Sequence, residues 1–121
     1  MQGKRLDRVN QLIKEEVSML LQRELKDPRL GFVTVTEVEV TPDLKYAKVY
    51  VSVLGSEQQW ASSLAALDSA RGFIWNWLRR HLDLRVTPQL SFRPDRSMEH
   101  AAHIQSLLSD LRARDPDPEG A

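Results

Sequence analysis

Apolar residues at Leu6, Val9, Ile13, Val17, Leu20 and Leu21 recur at three- and four-residue intervals between Lys4 and Leu25. That spacing predicts an amphipathic helix with Lys4, Arg8, Gln11, Glu15 and Gln22 on its wet side. The pattern stops at Lys26-Asp27-Pro28-Arg29-Leu30-Gly31, where proline pushes its predecessor out of the helical region and glycine permits a turn. Phe32 to Val40, rich in valine and threonine, then predicts a strand. Tyr46 to Leu54 predicts a second, with Ala47, Val49, Val51 and Val53 on one face and Tyr50 on the other. Thr41-Pro42-Asp43-Leu44-Lys45 is of hairpin length. Within the first strand the apolar phase slips from Val33 and Val35 to Val38 and Val40, which places a β-bulge near Thr36-Glu37.

Ser56, followed three residues later by Gln59, is a capping-box signature for a long helical segment. Trp60, Leu64, Leu67, Ala70, Ile74, Trp77, Leu78 and His81 form its stripe. A straight helix would bury Arg71 and expose Phe73, so a change of direction is expected at Ala70-Arg71-Gly72. Trp60, Trp77 and a hydrogen-bonded His81 are expected in the core, while Trp75 and Tyr50 lie off the buried faces. Arg85 to Phe92 predicts a third strand with Pro88 near its start. Ser97 is expected to cap a last helix with Ala101, Ile104, Leu107, Leu108 and Leu111 on one side. The organisation is thus a domain over residues 1–97, a helix over 98–114 and a disordered acidic tail over 115–121. The order helix, strand, strand, helix, kink, helix, strand defines an α+β architecture with helices over one sheet face.

The chain has 121 residues, sized for one core, and no cysteine, which excludes disulfides, thiolate metal sites and cysteine nucleophiles. No run reaches membrane-spanning length and the N-terminus lacks a signal-peptide core, so a cytoplasmic protein with no membrane partner is expected. Seventeen Lys and Arg balance seventeen Asp and Glu, which argues against attraction of nucleic acid by bulk charge. The balance is uneven along the chain: residues 1–97 carry a surplus of three positive charges and residues 98–121 a surplus of three negative ones. Six arginines and only two acids lie between Arg71 and Arg96. Clustered arginines suit bidentate phosphate contacts and stacking on unpaired bases.

Three segments carry a specific resemblance: Gln22-Arg23-Glu24-Leu25-Lys26-Asp27-Pro28-Arg29-Leu30-Gly31, Asp43-Leu44-Lys45-Tyr46-Ala47-Lys48-Val49-Tyr50-Val51-Ser52-Val53-Leu54-Gly55, and Gly72-Phe73-Ile74. Together, and in this order, they resemble the bacterial ribosome-binding factor A family, from about Arg5 to Ser97. The resemblance implies a KH-like fold of the bacterial type, with the glycine loop between the paired helices replaced by a kink, here Ser69, Ala70 and Gly72 around Arg71. It implies a monomeric, non-catalytic ribosome assembly factor that needs no cofactor. Such a factor binds the immature 30S subunit and its 16S ribosomal RNA, supports processing of the RNA 5′ end and aids growth in the cold. In one respect the chain departs from the family: Trp75 stands where a basic residue commonly follows Gly-Phe-Ile, and Arg79 and Arg80, one turn on, supply charge there.

The candidate RNA contacts are Lys4, Arg5 and Arg8 at the start of the first helix, with Arg71, Arg79, Arg80, Arg85 and Arg93 further on. Cations at a helix start oppose its dipole, a small reason to expect a partner there. Chemistry for catalysis is thin. His100 and His103 sit an i,i+3 step apart without an evident third metal ligand, and Glu15 and Glu16 are adjacent, so their side chains diverge. No glycine-rich phosphate loop or nucleophile elbow occurs. The alternative reading is a protein–protein module that pairs through its sheet edge or last helix without touching RNA.

Overall fold

A computed structural model of the chain describes residues 2–114, so the acidic tail expected over 115–121 lies outside the described residues. The elements are α1 (Gln2–Arg23), β1 (Phe32–Val40), β2 (Tyr46–Leu54), α2 (Glu57–Ser69), α3 (Arg71–His81), β3 (Gln89–Pro94) and α4 (Ser97–Arg114). The sheet runs β1-β2-β3, with β1 antiparallel and β3 parallel to β2. Helices α1, α2 and α3 cover one face. Between helices and sheet lies one core, in which Ile13, Val17, Leu20, Val49, Val51, Leu67, Ile74 and Leu78 are wholly buried. The other sheet face is open to solvent.

Local chemistry explains most boundaries. After α1, the segment 26–31 is tied down by Arg29, whose guanidinium grips Asp27 at 2.8 Å, and by hydrogen bonds from Gly31 N–H to Ser63 Oγ and from Ser62 Oγ to the Arg29 carbonyl. The bulge falls where the phase slip places it. Register shifts between Val35 and Glu37, which turns Thr36 out of the ladder so that its hydroxyl donates to Asp95 Oδ2 at 2.6 Å. In the hairpin, Asp43 Oδ1 accepts from Thr41 Oγ1 and the Lys45 amide. This tight turn holds Leu44 in the left-handed region at φ 62°, and burial of the Leu44 side chain offsets that cost.

The capping box at Ser56 and Gln59 is complete. Gly55 is required beside it, because a Cβ there would fall 2.1 Å from Gln59 Oε1 and its φ is +155°. The kink lies at Ala70, with φ −86° and ψ 0°, which ends α2 and starts α3. Gly72 is not what bends the chain: its backbone lies in the first turn of α3 and a Cβ would meet nothing within 4 Å.

Four expectations need correction. β3 starts at Gln89, not Arg85, because only from Gln89 onward does the chain pair with β2. The first free amide of α4 is satisfied by Asp95, whose Oδ1 accepts from Ser97 N–H at 2.9 Å, so Ser97 lies inside the helix it was expected to cap. His81 is exposed, with Nδ1 3.0 Å from the Trp77 carbonyl and its ring stacked 3.9 Å from the indole of Trp77. Trp77 itself is half-buried and donates Nε1–H to Glu16 at 2.7 Å. The buried stripe of α3 is therefore only Ile74 and Leu78.

Asp95 joins bulge, sheet and last helix in one contact set. Its carboxyl is held below the usual carboxylate range, first by the Thr36 hydroxyl and then by the Ser97 amide. A depressed folded-state pKa contributes stability above the unfolded value of about 3.9, and that stability is lost as pH falls through the folded value. Asp95→Ala should cost about 0.5–2 kcal/mol in urea unfolding at neutral pH. The difference from the parent should hold down to about pH 4 and shrink below it; a difference that stays constant well below that pH would show that the carboxylate is not the group responsible.

Candidate nucleic-acid interface

α1 and α3 pack antiparallel: Glu16 meets Trp77 midway, while Arg5 and Leu6 share a surface pocket with the hairpin residues Pro42 to Leu44 and with Arg85 and Val86. The basic start of α1 (Lys4, Arg5, Arg8) is thereby carried to the end of the molecule where α3 finishes with Arg79, Arg80 and His81. Sequence separates Arg5 and Arg85 by eighty residues; the fold sets both on one surface pocket. All are exposed. Asp43, in the same pocket, has its carboxyl held below the ordinary range by the Thr41 hydroxyl and the Lys45 amide, so its negative charge tempers the cluster.

Trp75 is the joint between α3 and the segment before β3. Its Nε1–H donates to the Thr87 carbonyl at 3.2 Å, and the Arg79 guanidinium lies over its ring at 5.5 Å. The indole thus fixes Arg79 and the Arg85–Thr87 segment relative to each other, a structural use of this position. Arg80 is about 100° further round the helix and turns away from Trp75, so Arg79 and Arg80 do not act as one pair. Beside this joint, Arg71, Gly72, Trp75 and Asn76 face Gln89 and Leu90 across a groove between the kink and the free edge of β3. Arg71 is partly engaged by Asp68 at 3.7 Å. The amides of the first turn of α3 have no side-chain cap, and the bare backbone of Gly72 leaves them open to close approach, a setting suited to phosphate.

Two arginines stand apart. Arg93 projects from β3 onto the open sheet face, opposite the helices, with Nε donating to Ser91 Oγ. Arg96 holds Glu57 through 2.6 and 2.8 Å hydrogen bonds, touches Glu99, and lies 4.2 Å over the buried ring of Trp60. Its carboxylate partners, Glu57 first, raise its pKa and make it a brace for α2 and α4. Asn76 and Gln89 in the groove carry no sequence signal beyond polarity, and only the packing of α3 against β3 identifies them. Among the described residues no group of three or more side chains could hold a metal ion, and no helix is long and apolar enough to cross a membrane.

A helical face on a three-stranded sheet of order β1-β2-β3, with a kinked pair α2–α3 and a groove beside the kink, defines an α+β domain of the KH-like class. Comparison with known proteins narrows the class. The family model for ribosome-binding factor A matches residues 5–108. Ribosome-binding factor A of Acetivibrio thermocellus is 48% identical over 119 residues, covering 95% of this chain and 97% of that protein. The crystal structure of ribosome-binding factor A from Thermus thermophilus superposes with a TM-score of 0.68 at 29% identity, over 76% of this chain and 98% of that one. A homology model of the Thermus thermophilus factor, as fitted into a cryo-electron microscopy map of a 30S complex, matches with a TM-score of 0.61 at 31% identity, over 72% and 91% of the two chains. The chain belongs to the ribosome-binding factor A family.

Proposed function

We propose that this protein is a non-catalytic, cytoplasmic assembly factor that binds the immature small ribosomal subunit as a monomer and holds its 16S ribosomal RNA in one conformation during late maturation. In this reading it supports processing of the RNA 5′ end and growth in the cold, where misfolded RNA escapes slowly. The observation that carries the reading is the pocket that Arg5 and Arg85 share, with Arg79 lying over the Trp75 ring whose N–H donates to Thr87, two residues on from Arg85. The Thermus relative fitted into a 30S complex supports the choice of partner.

The mechanism is positional. Lys4, Arg5, Arg8, Arg79, Arg80 and Arg85 meet phosphates, and the groove beside Arg71 and Gly72 admits the RNA backbone to the uncapped first turn of α3. The factor shifts an RNA equilibrium only by its differential affinity for the two RNA states. Because the net charge is zero, attraction is local, and binding favours a shaped site over bulk polyanion.

Salt dependence tests the interface. Each phosphate contact contributes about −0.7 to −0.9 to the slope of log affinity against log salt, so about five contacts lower subunit affinity by about two orders of magnitude between about 50 and 200 mM salt. Labelled protein titrated with small subunits should show this loss. A flat response would instead match an apolar protein–protein interface.

A further inference from the structure

The open sheet face is a surface that the basic end does not use. On it the register sets three rows across β2 and β3: Tyr46 beside Gln89, Lys48 beside Ser91, and Tyr50 beside Arg93. Tyr46 is 61% exposed and Tyr50 half-exposed, so both rings are open to a ligand. Alternation along β2 sends them outward while Ala47, Val49 and Val51 face the core.

We infer that this face is a second RNA site, which takes unpaired nucleotides along β2 and β3 by stacking bases on Tyr46 and Tyr50. Adjacent rows stand about 6.7 Å apart and the two rings about 13 Å, so an extended strand can set alternate bases on the rings with its backbone passing Lys48. Rings stack on any base, and hydroxyl and amide side chains beside them read exposed base edges. Arg93 is pre-oriented for this: Ser91 Oγ holds its Nε at 3.1 Å, which leaves the outer guanidinium nitrogens free, and no ion pair engages it among the described residues.

Charge selects the occupant and its path. The solvent-facing positions of β2 and β3 include two cations, Lys48 and Arg93, and no acid, whereas β1 presents Glu37 and Glu39 on the same face. Glu37 lies directly across from Tyr50 and Glu39 across from Lys48, so a polyanion is turned away from β1 and its phosphates are left to the β3 side, where Arg93 stands. At the far end, the first turns of α4 close the strip, with Met98 and Ala102 beside Phe32 and Leu54. The site lies on the opposite side of the sheet from α3, so one molecule would touch two RNA segments at once. The effective concentration this creates strengthens binding only where the folded RNA presents both segments together.

This inference rests on the reading of the protein as an RNA-binding factor, and the test separates the two. Backbone amide resonances of the isotope-labelled full chain are mapped during titration with single-stranded oligo(U) and oligo(A), and with a fully paired RNA duplex as control. Shifts across Tyr46–Ser52 and Gln89–Arg93 with the single strands and not with the duplex are expected. Tyr46→Ser and Tyr50→Ser should each weaken oligonucleotide binding about five- to a hundredfold, while Tyr50→Phe, which keeps the ring and the packing, should retain most of it. Shifts confined to the α1 start, the α2–α3 kink and Arg85 would overturn the second site and leave the proposed function standing. Shifts nowhere would overturn the second site as well, while the proposed function, which needs only the shaped site of the subunit, is decided separately by the salt titration with small subunits. Loss of subunit binding in the tyrosine variants without any oligonucleotide shift at the sheet would also overturn it, since a ribosomal protein would then be the occupant.

Discussion

Replacing Leu78 with alanine is expected to lower unfolding stability by about 2–5 kcal/mol, a large part of the about 5–15 kcal/mol that a domain of this size has. Leu78 is wholly buried in the same core cluster as Ile13, Val17, Val49 and Ile74. It is one of only two buried side chains on α3, so the cavity left behind would loosen the helix that carries Arg71, Trp75 and Arg79. Urea unfolding provides the measurement, and a loss below about 1 kcal/mol would show that α3 is not clamped in this way. Phe73→Ala, on the same helix but 49% exposed, should cost much less. The contrast between the two substitutions tests the assigned face of α3 directly.

The second large effect falls on binding. Arg79→Glu combined with Arg85→Glu is expected to weaken small-subunit binding by at least about a hundredfold at physiological salt and to flatten the salt slope by about one unit for each lost phosphate contact. Thermal stability should scarcely move, because both side chains are exposed and the cation–π contact of Arg79 with Trp75 is worth only about 0.5–1 kcal/mol. Arg96→Glu should show the reverse pattern. That arginine braces Glu57, Glu99 and the ring of Trp60, so its loss should lower the melting temperature while affinity per folded molecule stays near that of the parent. Unchanged binding by the Arg79/Arg85 variant would mean that the wrong end of the molecule has been assigned.

These contrasts mark what the sequence alone could and could not convey. Features set by short-range chemistry were legible: the stripe of α1, the phase slip at Thr36, the capping box at Ser56 and Gln59, and the kink at Ala70 each depend on neighbours within a turn or a strand pair. Features set by tertiary partners were not. His81 and Trp77 fit the helical period of a buried stripe, yet only Ile74 and Leu78 of α3 are buried, Trp77 lying at the margin with its N–H on Glu16 and His81 stacked on it in solvent. Ser97 has the chemistry of a cap, but Asp95, held by the Thr36 bulge from across the sheet, takes the amide first.

The arginines show the same limit. Composition groups six of them between Arg71 and Arg96, whereas the fold sends them to different places. Arg85 joins the start of α1, Arg79 lies over Trp75, Arg71 borders the groove beside the kink, Arg93 crosses to the open sheet face, and Arg96 becomes a structural brace. The apolar side of α4 is a further case. Ile104, Leu107, Leu108 and Leu111 are spaced as for burial, yet they stand at 44–60% exposure, and Met98 and Ala102, which line a pocket with Phe32 and Leu54, are exposed as well. Periodicity shows which side of a helix is apolar, and only the rest of the fold shows whether anything lies against it.

Co-sedimentation of the purified protein with immature and with mature small ribosomal subunits, at matched concentration and physiological salt, tests the central claim most directly. The account predicts retention on immature subunits in clear excess over mature ones, lost on reversing Arg79 and Arg85. Equal retention on both, or retention on neither at any salt concentration, would contradict it.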